Sequence, residues 1–194
     1  MTRISDGNSK LVGIPNISLV PCKNCAADAP CKKSCYAMKF FRMYPSVKKA
    51  WTENSKQLQS NRDKYFDDVH AFLQKKLPRF FRWHVAGDIP DRDYLLRMIV
   101  LADIYPEIKF LAFTKRHDLL KDFHANDIPD NLSIVASMWP GWGTAPKGYQ
   151  RAWMQDGTEK RVPENALECP GACHNCGACW NLKNLKRDVV FHKH

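Results

Sequence analysis

The sequence predicts an α/β fold with parallel strands, because segments of strand character alternate with segments of helical character along the middle of the chain. Apolar residues recur at helical spacing in residues 46–77, which predicts helix there. After it, strands are predicted at 79–88, 108–115 and 131–138, and helices at 89–106 and 116–124. Such strand–helix–strand repeats are typical of βαβ units, whose strands run parallel.

Turn-forming residues define the ends of these elements. The helix at 89–106 is expected to begin near Pro90 and Asp91 and to end before Pro106. The tryptophan-rich stretch at 137–153 predicts an ordered loop over a core edge or a pocket lining. The stretch "LKNLKRD" at 182–188 predicts a solvated helix face.

Length and composition indicate one domain over residues 1–194. It divides into an N-terminal cysteine-rich segment (11–40), a helical and βαβ core (41–140), and a loop plus C-terminal cysteine-rich segment (141–194). No apolar run approaches the roughly 20 residues that cross a bilayer, and the N-terminus lacks the apolar core of a secretory signal. We therefore expect a cytoplasmic location and no membrane partner. The formal net charge of +10 suits nucleic acid or an acidic redox partner.

The eight cysteines form two compact groups near the chain ends, and these are the predicted metal ligands. The first group, spaced C-x2-C-x5-C-x3-C, is Cys22, Cys25, Cys31 and Cys35. The second group, spaced C-x3-C-x2-C-x2-C, is Cys169, Cys173, Cys176 and Cys179.

Three interpretations of the cysteines compete. Disulfides are disfavoured in a cytoplasmic chain with a sizeable core. Structural zinc sites favour two C-x2-C pairs separated by a dozen or more residues, and both groups are more compact than that. The three-residue repeat of Cys173, Cys176 and Cys179 resembles the ferredoxin arrangement, so a [4Fe-4S] cluster is favoured over zinc.

Strand alternation supplies the other candidate residues. In the strand at 79–88, apolar residues alternate with Arg82, His84 and Asp88, which predicts one face towards a polar cavity. We expect two residues of each following strand on the inner face: Ala112 and Thr114 in the first, and Ser133 and Ser137 in the second.

Ligands bind at the carboxyl ends of parallel strands. We therefore expect Asp88, Thr114 and Ser137 to bind a cofactor there, with Asp88, Lys115 and His84 as candidate catalytic residues. The alternatives are a core histidine at His84, a helix cap at Asp88 and an exposed side chain at Lys115.

A family resemblance extends this interpretation. The stretches "CKKSCYA", "RWHVAGDIPDRDYL", "FLAFTKR", "IPDNLSIVAS" and "CGACW" resemble the phage "gene product 88" domain family. The stretch from "PEIKFLAFTKR" to "SIVAS" is also similar to radical-SAM-like phage barrel proteins, in which an Asp and a "TKR" stand at the positions of Asp88 and 114–116. The resemblance implies a phage-encoded protein in the host cytoplasm, with a partial or degenerate (β/α) barrel and cysteine-ligated iron–sulfur.

The resemblance also raises S-adenosylmethionine as a cofactor. Cys169, Cys173 and Cys176 have the spacing of a radical SAM motif, and the first group has the central spacing of a SPASM domain. The order is reversed from that family, and Cys179 can fill the open iron. Alternatively, "CKKSCYA" before the barrel strands supplies the reactive cluster.

The predicted fold class is thus α/β, a partial or degenerate (β/α) barrel with parallel strands and cysteine-rich metal-binding segments at both ends of the chain. The two segments are expected to meet near the carboxyl ends of the strands, around one composite centre or two clusters. The predicted function is iron–sulfur cluster binding with redox or radical-type chemistry on a small molecule or with a redox partner. The alternative is a zinc-stabilised nucleic-acid-binding or structural module. The sequence assigns no reaction.

Overall fold

A computed structural model describes residues 1–192 and contains one seven-stranded sheet. Every pair of neighbouring strands in it is parallel. The strands are β1 (Asn16–Ile17), β2 (Phe80–Trp83), β3 (Lys109–Thr114), β4 (Leu132–Met138), β5 (Arg151–Gln155), β6 (Leu167–Glu168) and β7 (Val189–His192), in the spatial order β1-β2-β3-β4-β5-β7-β6.

Seven α-helices accompany the sheet in the described part of the chain. They are α1 (Tyr36–Met43), α2 (Pro45–Ser60), α3 (Arg62–Lys76), α4 (Arg92–Ile104), α5 (His117–Leu120), α6 (Cys173–Cys176) and α7 (Leu182–Leu185). Short 3-10 turns lie at Pro30–Ser34, Ala125–Asp127 and Ala178–Asn181. Among residues 1–192 we find no helix with the length and apolar character that a membrane span requires.

The predicted parallel α/β architecture is confirmed, and so are strands within 79–88, 108–115 and 131–138. The helical stretch at 46–77 consists of two helices, because Asn61 leaves helical geometry and its side chain accepts the Lys64 N–H to cap α3. The helix at 89–106 begins where Asp91 accepts the Tyr94 N–H.

The sheet has two edges, β1 and β6, and the described residues form no ladder between them, so closure into a barrel is not observed. Strand β5 occupies part of the tryptophan-rich segment, for which the sequence predicts a loop, and β7 follows the predicted solvated helix face. Leu182 of that face is fully buried.

The two faces of the sheet are covered by different parts of the chain. Alternate residues such as Phe110 and Ala112 join the larger core, which packs against helices that include α3 and α4. Leu111 faces the other way, into a smaller core with Trp180 and Leu182. The C-terminal cysteine-rich segment therefore covers one face of the sheet.

Candidate metal centres

The first cysteine group lies beyond the carboxyl ends of β1 and β2. Cys22 follows β1, and its thiol is hydrogen-bonded to that of Cys35, which begins α1. Burial, with a contribution from Cys35, raises the pKa of Cys22 to about 11. Burial and the neighbouring Asp88 raise the pKa of Cys25 to about 11, and burial raises that of Cys31. Cys22, Cys31 and Cys35 each contribute to the raised pKa of another thiol in the group, so the chain places these side chains near one another.

Asp88 lies near this group, close enough to contribute to the raised pKa values of Cys25 and Cys31. It is 3% exposed and accepts hydrogen bonds from the Thr114 hydroxyl at 2.6 Å, the Lys115 N–H at 2.9 Å and the Ile89 N–H at 2.8 Å. Burial raises its pKa. Asp91 is the residue that caps α4, so Asp88 is not a helix cap.

The turn before Asp88 is held against the segment that leads to Cys22. The Leu19 N–H donates to the Ala86 carbonyl at 3.0 Å. Gly87 has φ +80°, and a Cβ there would stand 2.9 Å from the Leu19 Cβ. A residue with a side chain would push the two segments apart, so glycine allows the close approach that places Asp88 beside the first cysteine group.

A cavity of about 710 Å³ opens beside the first group and is lined in part by Cys25, Lys115, His117 and Trp142. Lys115 opposes the rise in the pKa of Cys31, so its ammonium group acts on that thiol. Lys115 also lies 5.9 Å from the centre of the Trp139 ring. The tryptophan-rich segment, which the sequence assigns to a loop or a pocket lining, thus contributes to this cavity.

Thr114 and Ser137 do not share a face of the sheet, contrary to the prediction. Thr114 pairs in register with Ala136, whose side chain packs in the helix-covered core. Ser137 is the next residue along β4, so its side chain points to the opposite face. The expected cofactor site of three residues therefore reduces to Asp88 and Thr114. The backbone of Ser137 is hydrogen-bonded to the ring of His117.

His84 lies in the core, which is the alternative to a catalytic role that the sequence left open. Strand β2 ends at Trp83, and His84 has φ +54°, which breaks the alternation on which its prediction rests. Its ring is 3% exposed and lies 5.3 Å from that of Tyr94, inside the helix-covered core. Burial lowers its pKa to about 3. Neither ring nitrogen has a hydrogen-bond partner among residues 1–192.

The second cysteine group surrounds one narrow pocket of about 20 Å³, whose lining includes all four of its cysteines, Trp180 and Val189. The Cys173 N–H donates to the Lys10 carbonyl at 2.9 Å, which joins this segment to the N-terminal part of the chain. Burial raises the pKa of Cys173, and raises that of Cys179 to about 12; in both cases Arg82 opposes the shift.

Arg82 lies beside the second cysteine group, but the sequence did not single it out as a site residue. The available signal was an arginine within a strand of mostly apolar residues. Its guanidinium carbon lies 4.7 Å from the centre of the Phe113 ring. Its Nε is buried and has no hydrogen-bond partner in the described chain. The Arg82 side chain is half-buried, but its buried Nε–H is costly to leave without an acceptor.

The second group does not meet the first, contrary to expectation. After Cys169 its segment crosses to the amino-terminal end of β2, where Trp180 Nε1 donates to the Phe81 carbonyl at 3.0 Å and Gly177 lies against Phe80. The first group lies beyond the opposite ends of the strands. Within residues 1–192, no three His, Cys, Asp or Glu side chains are arranged to hold a single metal ion.

Fold and side chains thus define an all-parallel α/β protein with two separate groups of four cysteines. A family model described as "Gene product 88" matches residues 4–140, and the chain belongs to this phage protein family. That range includes the first cysteine group, Asp88 and Lys115, and it ends before the second group. No curated protein and no solved structure matches the chain. The comparisons do not support the similarity to radical-SAM-like barrels.

Proposed function

We propose that the protein binds iron–sulfur clusters, one [4Fe-4S] cluster at each cysteine group. The observation that carries this proposal is the second group, where four thiols line one pocket. The half-buried Arg82 lies close enough to oppose the pKa shifts of Cys173 and Cys179, and its buried Nε has no hydrogen-bond partner within residues 1–192. A cluster held by four thiolates is anionic overall, and hydrogen bonds to cluster sulfur are a common contact. Arg82 supplies both the compensating charge and a donor.

The raised pKa values of the thiols make metal binding at either group dependent on pH. Burial holds Cys22, Cys25 and Cys179 protonated at neutral pH. Metal ligation requires thiolates, so loading either group releases protons and replaces buried thiols with metal–sulfur bonds. The metal–sulfur bonds offset the free energy of deprotonating these thiols, so the affinity for metal decreases as the pH falls.

The first group is the one we assign to reactions with a small molecule, because Cys25 lines the cavity of about 710 Å³. A cluster held by all four thiolates would supply one-electron transfer, and one held by three of them would also supply an open iron for a substrate or S-adenosylmethionine. Lys115 offers a cation to a carboxylate or phosphate in the cavity. Asp88 fixes the backbone of Lys115 and the hydroxyl of Thr114, so it acts as a positioning residue.

We assign the second group to electron transfer or to bracing the structure, because its narrow pocket, unlike the cavity beside Cys25, leaves no room for a substrate next to a cluster. We further propose that the protein is phage-encoded, acts in the host cytoplasm and exchanges electrons with a redox partner. Membership of a phage protein family supports this setting.

Anaerobic purification followed by iron, acid-labile sulfide and zinc analysis tests the proposal. We expect about eight iron and eight sulfide per chain, with a brown colour. Cys173→Ser with Cys179→Ser should remove about half of each and leave the first cluster. His174→Ser, an exposed change within α6, is the matched control. Stoichiometric zinc without sulfide would replace this proposal with the zinc-stabilised module.

Chemistry at the first group is tested on the reduced protein. S-adenosylmethionine is added anaerobically, and 5′-deoxyadenosine and the electron paramagnetic resonance spectrum are measured. Product formation that is lost in Cys31→Ser and kept in His174→Ser would place radical chemistry at the first group. An unchanged spectrum and no product would leave electron transfer or a structural cluster as its role.

A further inference from the structure

A row of exposed aromatic rings lies on α1, directly after the first cysteine group. Tyr36 and Phe40 of α1 lie on one side of the helix, and Tyr44, the residue that directly follows α1, continues the four-residue spacing. They are 62%, 43% and 46% exposed. The ring centres are 6.4 Å apart between the first two and 5.9 Å apart between the last two. Rings of this size normally avoid such exposure unless they meet a partner.

The row is held in place by contacts on the protein side. The Tyr36 hydroxyl donates to the Val85 carbonyl at 2.8 Å, which fixes the first ring. Phe40 and Tyr44 stack with 18° between their planes. Phe41 stacks on Trp51 of α2, so the helix is attached by its other side. The exposed rings are therefore ordered before any partner arrives, which lowers the entropic cost of binding.

The surrounding surface is strongly basic. Residues 29–52 contain six lysines and arginines and no acidic residue, which is more than half of the formal net charge of +10. These cations are Lys32, Lys33, Lys39, Arg42, Lys48 and Lys49. None of them takes part in an ion pair found within residues 1–192.

We propose that α1 and the start of α2 bind single-stranded nucleic acid, with bases stacked on Tyr36, Phe40 and Tyr44 and phosphates on the surrounding cations. Exposed aromatic rings interleaved with cations are the recognition chemistry of single strands, because every unpaired base offers a face for stacking. A duplex offers mainly phosphates, since its bases are already stacked. The proposal does not depend on metal at either cysteine group.

Titration of a fluorescently labelled single-stranded oligothymidine with the intact purified protein, followed by anisotropy, tests this surface. We expect Phe40→Ala with Tyr44→Ala to weaken binding about tenfold or more, since each stacked base contributes substantially. The matched control is Val100→Ala with Ile104→Ala, which removes exposed side chains from α4. The affinity of this control variant for the oligothymidine should stay within about twofold of the wild-type affinity. Both variants should show wild-type thermal unfolding and metal content.

The charge contribution is measured by salt dependence. Lys48→Gln with Lys49→Gln should flatten the log–log salt slope by roughly 0.7 for each phosphate that the two lysines neutralise in the wild type. Lys75→Gln with Lys76→Gln, which neutralises two exposed lysines of α3, should leave the slope unchanged. The proposal is overturned if the wild type does not bind the single strand, binds duplex equally well, or prefers phosphatidylserine vesicles. Equal weakening by the ring variant and its control would also overturn it.

Discussion

Replacing the buried His84 with leucine should make the protein less sensitive to acid. Burial lowers the pKa of His84 from 6.5 to about 3 in the folded chain, and Arg82 adds to the shift. The unfolded chain therefore takes up a proton at pH values where the folded chain does not. Stability contributed by the neutral ring is complete above pH 6.5 and is lost as the pH falls towards 3.

The size of the effect follows from the two pKa values. At pH 5 the unfolded histidine is almost fully protonated, while the folded one is still neutral. The linkage relation gives a loss of about 2 kcal/mol between pH 8 and pH 5. At pH 8 the substitution itself should cost about 1 kcal/mol: leucine has a similar volume and neither ring nitrogen of His84 has a partner within residues 1–192, but leucine tolerates the left-handed backbone at this position less well. This offset is the same at every pH and cancels when the pH dependences are compared.

Urea denaturation at pH 8, 7, 6 and 5 measures the effect as a difference between wild type and His84→Leu. Asp88, whose pKa is raised by burial, titrates in both proteins and cancels in that difference. His124→Leu is the matched control, because His124 is exposed to solvent. Parallel pH dependence in the wild type and His84→Leu would refute the inference that His84 is buried and neutral.

Three further predictions concern stability. Asn61→Ala removes the acceptor that caps α3 and should lower the free energy of unfolding by about 1 kcal/mol in urea denaturation, whereas Ser60→Ala beside it should not. Thr114→Val deprives the buried Asp88 of a donor and the Arg116 N–H of an acceptor, so we expect a loss of about 1–3 kcal/mol; an unchanged urea midpoint would contradict the role given to this hydroxyl. Removal of metal by anaerobic chelation should lower the midpoint of thermal unfolding. The reason is that the second cysteine group belongs to the segment that buries Trp180 against the sheet. An apo protein with the same midpoint as the untreated protein would exclude a structural role for metal.

The sequence by itself predicted the parallel α/β class and the positions of β2, β3, β4 and α4. These elements are encoded locally, by the period of apolar residues and by end signals such as Asp91, so a short window is sufficient. It also showed that all eight cysteines fall in two groups, whereas Asp88, expected at the end of a strand, lies five residues after β2 ends at Trp83. The grouping of the cysteines concerns neighbours along the chain.

Only the tertiary structure decided which strands pair when they are far apart in the sequence. Strands β1 and β6 are two residues long each, so their existence depends on β2 and β7 beside them rather than on their own composition. Strand β5 lies among residues rich in turn signals. A repeating strand–helix pattern in the sequence is compatible with both an open sheet and a closed barrel. The pairing of the last strands decides between them, because it leaves β1 and β6 as unpaired edges among the described residues.

Tertiary structure also decided which side chains meet. Register placed Thr114 beside Asp88 and turned Ser137 to the other face, and a left-handed backbone at His84 ended the alternation that sequence reasoning extended. The spacing of Tyr36 and Phe40 is visible in the sequence, but their exposure is not, because it depends on which side of α1 packs against the protein. Local periodicity gives the side of an element on which a residue lies, and only packing determines what that side contacts.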